Sequence, residues 1–451
     1  MKAWGFGKPG GVVAAGLFEG LLLVALGWWP GARATPFPAL ALWTGIFLLY
    51  TVAAASQTRA PASRTSLWTL GLAMRGALFP LTPYYSDDIY RYMWDGWVQT
   101  HGINPFLYAP DHLSLAALRT SWHALINHPD VATIYPPAAQ VAFFALASIG
   151  VSIPVFKLAW LAADLAIAWM LDRLTSTGRG APSTAVLLYL WSPLLAVEVA
   201  WSGHMETLGI LPMMAALLVL GVAAAPRTAG LRVWTPGADQ CRVGAGIGAG
   251  LLLGLGASIK FAPAAALPAL YRRRGARAAL ALVLVPAALY LAYAGAGSRL
   301  FAGLGAYAER WQFNPGLFRL LEAAAGGAGA RRLAIGAVGL CALGCAWRRW
   351  PLDRTLFWVT GTALLLSPTL HPWYVLWILP LAALFRNRAW ILFSGLVAFA
   401  YWGRDAYHAT GQWPYPGWLA LLVHLPFLTL LVVDAVAAKR LARGGQIPRG
   451  E

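Results

Sequence analysis

Apolar runs of close to 20 residues recur from one end of this chain to the other. A helix needs about 20 apolar residues to cross the hydrocarbon core of a bilayer, and a spanning segment must satisfy its own backbone hydrogen bonds. Charged residues make up only 11% of the 451 residues, whereas they make up about a quarter of an ordinary soluble domain. The sequence therefore predicts an all-α polytopic membrane protein.

The basic residues stand in short clusters between the apolar runs and give a formal net charge of +17. Cytoplasmic loops of membrane proteins carry an excess of Lys and Arg. A nucleic-acid-binding protein would need a continuous basic face instead. The clusters therefore predict which loops are cytoplasmic, and we expect no nucleic-acid partner. The clusters include Arg59 and Arg64, Arg173 and Arg179, Arg227 with Arg232 and Arg242, Arg272–Arg277, and Lys439–Arg443.

Placing these clusters in the cytoplasm predicts one transmembrane domain over residues 1–443, with about 11–13 spans and a retained first span. Residues 444–451 then form a cytoplasmic tail. Two long loops, 83–137 and 296–330, lie on the opposite side. No internal repeat is visible, although related halves are common in alternating-access transporters.

Two apolar segments do not fit simple spans. Residues 138–150 are short for a crossing; the charge asymmetry favours an interfacial position, and a span remains the alternative. Residues 244–270 are rich in Gly and predict a helix pair or a broken hairpin around Lys260.

The 83–137 loop concentrates carboxylates: it holds Asp87, Asp88, Asp95, Asp111 and Asp130, five of the 17 acidic residues of the chain. Carboxylates gathered where a helix leaves the membrane predict a reaction centre at the bilayer surface. A solvated, helix-capping turn is the alternative for any single aspartate.

If residues 86–97 are helical, Asp88, Arg91, Tyr92 and Asp95 share one face. Arg91 then fixes one carboxylate while another stays available as a general base, with a pKa raised by burial and like charge. In the alternative interpretation, Asp87 only caps the helix and Asp95 only pairs with Arg91. The Pro-rich steps at 102–110, 127–130 and 135–137 predict a rigidly folded loop.

Other ionisable groups approach the same side from distant parts of the chain. Lys260 lies in an apolar stretch, which indicates a function such as holding a phosphate, with snorkelling to the interface as the alternative. His371 is a candidate phosphate donor or acid, or a simple helix cap. The predicted group on this side comprises Asp87, Asp88, His204, Glu206, Lys260, His371, Arg404, Asp405 and His408.

Glu206 and His204 are predicted to position an acceptor hydroxyl or to orient a first-loop aspartate, with an inert helix start as the alternative. Four further embedded ionisable residues are predicted to have structural pairing roles unless they reach the cavity: Glu19, Lys157, Asp164 and Glu198.

The element Ser86-Asp-Asp-Ile-Tyr-Arg-Tyr-Met-Trp-Asp-Gly96 resembles the first-loop acidic motif of GT-C superfamily membrane glycosyltransferases. The resemblance continues through Gly102–Phe106 and Tyr135–Pro137. Gly203-His-Met-Glu206, Lys260 and His371-Pro-Trp-Tyr374 are similar to elements of the bacterial branch that uses polyprenyl-phosphate mannose.

This resemblance implies an inverting transferase that moves a monosaccharide, with mannose favoured, from a polyprenyl-phosphate donor to a lipid or glycan acceptor. It implies a bacterial plasma-membrane protein in contact with membrane lipids, with its active site facing the periplasm or exterior. The base is Asp88 or Asp87, the phosphate and donor residues are Lys260, His371, Arg404 and Tyr374, and the acceptor or supporting residues are Glu206, His204, Arg91, Asp95 and Tyr135.

Residues 202–207 contain no compact Asp-x-Asp metal motif, so catalysis without a metal or other cofactor is predicted. A transporter or lipid flippase is the alternative function, and a lipid-linked glycan ligase is a third. The acidic cluster at one surface favours the enzyme, because a transporter predicts ionisable groups near the midplane. The oligomeric state is left open.

Overall fold

The computed structural model describes residues 9–33, 35–175, 182–221 and 243–444. Within these ranges every named element is helical, and the isolated β-bridge joins Phe313 to Thr369. The all-α prediction is confirmed. Some predicted features lie outside the described residues: the basic residues Arg179, Arg227, Arg232 and Arg242, and positions 445–451 of the tail.

The α-helices are numbered in chain order: α1 Pro9–Trp28, α2 Pro36–Gln57, α3 Arg64–Leu78, α4 Asp88–Thr100, α5 Pro137–Ile149, α6 Ile153–Thr175, α7 Thr184–Leu190, α8 Pro193–Leu195, α9 Glu206–Val219, α10 Val243–Ala257, α11 Leu267–Arg274, α12 Ala276–Leu291, α13 Ala302–Arg310, α14 Phe318–Trp347, α15 Leu352–Leu365, α16 Leu379–Phe385, α17 Arg388–Leu396, α18 Arg404–Thr410 and α19 Gly417–Gly444. A π-helix, Ala196–Trp201, continues α8. The 3₁₀-helices are Pro30–Arg33, Leu113–Leu118, His123–Leu125, Ala262–Ala266, Ala294–Phe301, Pro372–Trp377 and Val397–Gly403.

Six helices among the described residues are long and apolar enough to cross a membrane, and a seventh results if a bent pair is counted as one span. The polytopic membrane class is thereby confirmed. Any larger number of spans requires short or interrupted helices, so the count of about 11–13 stays a prediction. The six are Gly10–Trp28, Pro36–Gln57, Ile153–Thr175, Thr184–Trp201, Phe318–Trp347 and Gly417–Ala437.

Buried polar contacts join the helices of the bundle. The guanidinium of Arg75 in α3 pairs with Asp164 in α6 at 2.5 Å, and both side chains are buried. The ammonium of Lys157 in α6 donates to the carbonyl oxygens of Phe79 and Leu81 at 2.7 and 2.9 Å, just beyond the end of α3. The predicted structural pairing role of Asp164 is confirmed by its ion pair with Arg75, and Lys157 is held by backbone carbonyls.

The first loop (residues 83–137) contains the helix α4, which covers residues 88–97 of the segment 86–97 that was supposed to be helical and continues to Thr100. The next helix, α5, packs against α4, and Gly96 allows close approach: a Cβ there would collide with the Phe143 carbonyl oxygen. The ring of Tyr92 stacks on Phe143 with centroids 5.0 Å apart. With 13 residues, α5 is about 20 Å long, less than the roughly 30 Å of hydrocarbon, which favours the interfacial interpretation of 138–150.

The apolar segment predicted as a broken hairpin is interrupted beside Lys260. Helix α10 ends at Ala257, and α11 begins at Leu267 after a 3₁₀ turn. At the break, the Ser258 carbonyl oxygen accepts a hydrogen bond from the Ala138 amide, 2.9 Å away, at the start of α5. The prediction is confirmed, and the break places Lys260 next to the first loop.

The second loop (residues 296–330) packs on the first. The chain bends by 108° between Ala276–Leu291 and Ala294–Arg310. The bend brings Gly303 against the backbone carbonyls of Ala132 and Thr133, where a Cβ would have no room. The two long loops therefore meet backbone to backbone over one end of the bundle.

Candidate active site

A cavity of about 600 Å³ lies where the two long loops meet the break at Lys260 and the segment around His371. We call it the Asp88 cavity. The predicted site residues that line it are Asp87, Asp88, Arg91, Tyr135, Lys260, His371, Tyr374 and Arg404. The other three, Asp95, His204 and Glu206, do not line it and approach the lining residues from behind.

Asp88 is the first residue of α4. The Asn127 amide donates to its Oδ1 atom at 2.7 Å, and the Tyr92 hydroxyl lies 3.5 Å from Oδ2. Burial raises the pKa of Asp88 to about 6; the hydrogen bond from Asn127 opposes the rise, the negative charge of Glu206 adds to it, and the positive charge of Lys260 opposes it. Such a carboxylate is mostly ionised at neutral pH, yet it is a much stronger base than an ordinary aspartate.

The two neighbouring aspartates differ from Asp88. Asp87 is at the N-cap of α4, but its side chain accepts no capping hydrogen bond, so the alternative of a mere cap is wrong. The pairing alternative for Asp95 is confirmed: Arg91 Nε donates to its Oδ1 atom at 2.8 Å. Thr133 and Gln140 donate to Oδ2 at 2.5 and 2.9 Å. Asp95 thus has a supporting position behind the cavity.

A buried histidine and a buried glutamate lie behind Asp88. His204 Nδ1 is 3.8 Å from Asp88 Oδ2, and His204 Nε2 is 3.4 Å from Glu198 Oε2. The Tyr401 hydroxyl donates to the other Glu198 oxygen at 2.7 Å. Burial, with a smaller contribution from the charge of Lys260, holds the pKa of His204 well below its usual value, so its ring is neutral.

Local backbone geometry brings these two side chains together. Glu198 belongs to the π-helix, a form often found at functional sites. Gly203 follows with a φ of +77°, a conformation that favours glycine. The His204 amide then donates to the Glu198 carbonyl at 2.8 Å, and the Trp373 ring stacks on the imidazole with centroids 4.0 Å apart.

Lys260 is paired and also lines the cavity. Its ammonium forms an ion pair with Glu206, which is fully buried, while a quarter of the Lys260 side chain stays exposed. The ammonium also lies 4.2 Å from the centre of the Tyr374 ring, and the Tyr374 hydroxyl is 2.6 Å from that of Tyr307. Glu206 therefore orients Lys260 and does not itself reach the cavity.

His371 is clamped between two rings. It stacks on Phe313 and on Trp373 with centroid distances of 4.5 and 4.3 Å. Burial, together with the charges of Lys260 and His128, lowers the pKa of His371 to about 3. A neutral imidazole can donate or accept a hydrogen bond, but it is poorly suited to the predicted alternative role of an acid.

Two arginines add positive charge to the cavity lining. The Arg404 guanidinium donates to the Tyr84 carbonyl and, at 2.9 Å, to Asp405, and it covers the Tyr84 ring. One terminal nitrogen of Arg91 is buried with no hydrogen-bond partner among the described residues. Together with Lys260, these groups can compensate an anion in the cavity.

The sequence prediction missed Asn127. Asn127 appeared only as part of a Pro-containing turn, and its contact with Asp88 spans 39 positions of the chain. Glu198 was predicted to have a structural pairing role unless it reached the cavity. It does not line the Asp88 cavity and it pairs with Tyr401, but it also faces His204, which lies beside Asp88.

The arrangement places one basic carboxylate and several cationic groups around a single cavity. Residues 8–277, more than half of the chain, match the MptA_B family, described as "Alpha-(1->6)-mannopyranosyltransferase, N-terminal domain". No curated protein and no solved structure matches the chain. The matched part holds Asp88, His204 and Lys260, whereas His371 and Arg404 lie beyond it. The predicted resemblance to a mannose-using membrane glycosyltransferase is confirmed: this chain belongs to the MptA_B family of alpha-(1->6)-mannopyranosyltransferases and is a hexosyltransferase.

Proposed function

We propose that this chain is an inverting transferase that moves one mannose from a polyprenyl-phosphate carrier to a lipid or glycan acceptor. The observation that carries the proposal is that Asp88, with a pKa of about 6, and Lys260 line the same cavity. A base and a cation in one cavity suit a reaction in which a hydroxyl loses its proton while a phosphate leaves. The family supplies the sugar and the reaction class.

In the proposed step, the acceptor hydroxyl attacks the anomeric carbon of mannose while Asp88 takes the hydroxyl proton. The oxygen lone pair forms the new bond. The bond between the anomeric carbon and the phosphate oxygen breaks, and polyprenyl phosphate leaves with the bonding electrons. A single displacement inverts the anomeric centre. We assign the base to Asp88 rather than Asp87 because Asn127 and Tyr92 hold its carboxylate in the cavity.

The leaving phosphate is proposed to lie against Lys260, with Arg404 and Arg91 as further cations. Neutral His371 and the Tyr374 hydroxyl are hydrogen-bonding candidates for the phosphate oxygens. These cations carry the charge compensation in the proposal, so we expect catalysis without a metal ion.

His204 and Glu198 are proposed as positioning residues. Glu198 is fully buried and held by Tyr401. It faces one nitrogen of His204 and thereby selects which nitrogen carries the hydrogen. The other nitrogen faces Asp88. This pair fixes the rotamer of the base and tunes its proton affinity without touching the substrate.

The cavity size favours a small donor over a polymeric one. A volume of about 600 Å³ lies within the range of roughly 300–1,000 Å³ that is typical of small-molecule sites. This supports a carrier with one sugar rather than the polymeric donor of a lipid-linked glycan ligase. We also propose that the site faces the periplasm or cell exterior, because the positive-inside rule predicts that the basic clusters lie in the cytoplasm.

The proposal is tested with purified full-length protein, an α-mannoside acceptor and three labelled donors: polyprenyl-phosphate mannose, polyprenyl-phosphate glucose and a nucleotide-linked mannose. We expect transfer from the first donor only, at a rate unchanged by EDTA. Efficient transfer from the nucleotide sugar would refute the lipid carrier, and loss of the rate in EDTA would refute metal-independent catalysis.

A matched pair of variants tests the phosphate site. Lys260→Gln removes the cation. Glu206→Gln breaks the same ion pair but keeps the Lys260 ammonium in place. We expect Lys260→Gln to raise KM for the donor about tenfold or more, which corresponds to about 1.4 kcal/mol, and Glu206→Gln to raise it much less. Equal effects of the two variants would mean that Lys260 serves the fold alone.

A further inference from the structure

The end of the bundle opposite the Asp88 cavity carries a dense group of arginines. Helix α14 begins in the second loop and extends roughly 30 Å past its break at Gly326. The segment that follows it, 348–354, meets the segment 272–277 at the end of α11: the Arg273 guanidinium donates to the Arg349 carbonyl oxygen at 2.5 Å. We call these two segments together the basic end.

The basic end is strongly positive. Its two segments contain seven arginines and a single acidic residue, Asp353. The Asp353 side chain is buried and accepts a hydrogen bond from the Arg354 amide at 2.9 Å. The positive-inside rule accounts for basic residues on one side of a membrane. It does not account for the contact between Arg273 and Arg349, which lie 76 positions apart in the chain.

Helix electrostatics explain only part of this group. Three arginines, 272–274, occupy the last turn of α11, where a positive charge complements the helix dipole. Arg277 and Arg354, in contrast, lie in the first turns of α12 and α15. A positive charge is unfavourable at that end of a helix. The local fold therefore gives no reason for arginine at these two positions.

The backbone of Arg349 also favours a different residue. Arg349 follows the C-cap of α14 with a φ of +51°, the left-handed conformation in which helices usually carry glycine. Its amide donates to the Ala346 carbonyl oxygen, and the next amide, of Trp350, donates to that of Cys345, both at 3.0 Å. Glycine would make the same turn without steric strain. The arginine side chain is thus not required by the turn.

Aromatic residues place the basic end at the level of lipid headgroups. Tyr271 and Trp347, which directly precede the two segments, are 56% and 86% exposed. Exposed Trp and Tyr residues of membrane proteins concentrate at the headgroup level. The Trp350 ring lies under two guanidinium groups, that of Arg354 at 3.9 Å and that of Arg348 at 5.7 Å. The arginines therefore face the membrane interface, where phosphate groups are the nearest anions.

We propose that the basic end binds the headgroups of anionic phospholipids in the leaflet opposite the Asp88 cavity. Guanidinium groups form paired, charge-assisted hydrogen bonds with phosphate. Basic pockets between membrane helices are known to hold such headgroups. The site is separate from the proposed transferase site, and its lipid is a structural partner that is neither donor nor acceptor.

The test measures lipid binding to the purified full-length protein in neutral detergent by native mass spectrometry, with phosphatidylglycerol or phosphatidylcholine as the probe. We expect the Kd of the tightest site to be at least about tenfold lower for phosphatidylglycerol. Arg349→Gly removes one guanidinium but keeps the carbonyl that Arg273 binds, and it suits the backbone. We expect this variant to bind phosphatidylglycerol about fivefold more weakly, with no loss of thermal stability in lipid-free detergent.

The matched control is Arg386→Gly. Arg386 has a φ of +48° after α16, so the control makes the same change of charge in the same backbone conformation. We expect its Kd for phosphatidylglycerol to stay within about twofold of the wild-type value. Equal affinity of the wild-type protein for the two lipids would overturn the inference. Equal weakening by both variants would overturn it too, as would an Arg349→Gly variant that keeps its affinity or loses stability without lipid.

Discussion

Asp88 and Asp95 lie two turns apart on α4, yet their surroundings are opposite. Asp95 is buried, and Arg91, Thr133 and Gln140 occupy both of its oxygens. Asp88 is held by one neutral amide and a distant hydroxyl, lines the cavity and keeps 18% of its side chain exposed. The hydrogen bonds of Asp95 hold its carboxylate in place behind the cavity, whereas burial without a cationic partner raises the pKa of Asp88 and makes it more basic.

The largest expected effect is the loss of catalytic rate when Asp88, rather than Asp95, is replaced. Asp88→Asn removes the base and keeps the Asn127 contact as an amide pair, so we expect kcat to fall about 10²–10⁴-fold with little change in thermal stability. The assay is mannose transfer under saturating donor. Asp87→Asn is the neighbouring control and should retain most of the rate. Full turnover by both variants would disprove the general-base role.

The second effect is a difference in stability between variants of Asp95 and variants of Asp88. Asp95→Ala leaves the buried Arg91 guanidinium without its partner, so we expect the free energy of unfolding to fall by about 3–5 kcal/mol. Thermal unfolding in detergent measures the loss, and Asp88→Ala is the control that should cost far less. If Asp95→Ala were as stable as the wild-type protein, the structural role of Asp95 would be wrong.

The third effect is the pH dependence of the rate. The pKa of Asp88 is raised, so its ionised, reactive form is lost as the pH falls through about 6. We expect kcat/KM to be level at higher pH and to fall about tenfold for each unit below that value. An ordinary carboxylate would keep the rate constant down to about pH 4. A level profile between pH 7 and 5 would contradict the assignment.

The smallest effect concerns the groups behind Asp88. Glu198→Gln keeps the shape and an acceptor oxygen for Tyr401 but replaces the carboxyl oxygen that faces His204 by an amide nitrogen. We expect kcat to fall about tenfold or less, equivalent to at most about 1.4 kcal/mol, and the acidic limb of the pH profile to move. A purely structural Glu198 would change stability and leave the pH profile where it is.

Local sequence patterns predicted the part of the site that rests on single segments. The spacing on α4 predicted that Arg91 pairs with Asp95, and a lone ionisable residue among apolar neighbours predicted a role for Lys260. What the patterns did not provide was the difference between the two aspartates. That difference comes from Thr133, Gln140 and Asn127, which reach α4 only after the loop folds back on itself.

The number of membrane spans is a second feature that local sequence patterns do not determine. Hydropathy finds apolar residues, but Pro and Gly divide those residues into short or bent helices. The apolar helices α5, α9 and α10 have 13, 14 and 15 residues, and the chain turns by 108° after Leu291. Whether such pieces join into one helix depends on packing across the bundle, which no local window contains.

The contact at Gly303 limits how the loops of this enzyme can be exchanged. Any larger residue at position 303 would push away the backbone of Ala132 and Thr133. The Thr133 hydroxyl donates a hydrogen bond to Asp95. The two loops must therefore change together. A chimera that takes only one loop from a relative loses the fit between the two loops. A chimera that takes both loops together keeps that fit, and with it the hydrogen bond from Thr133 that holds Asp95 on α4.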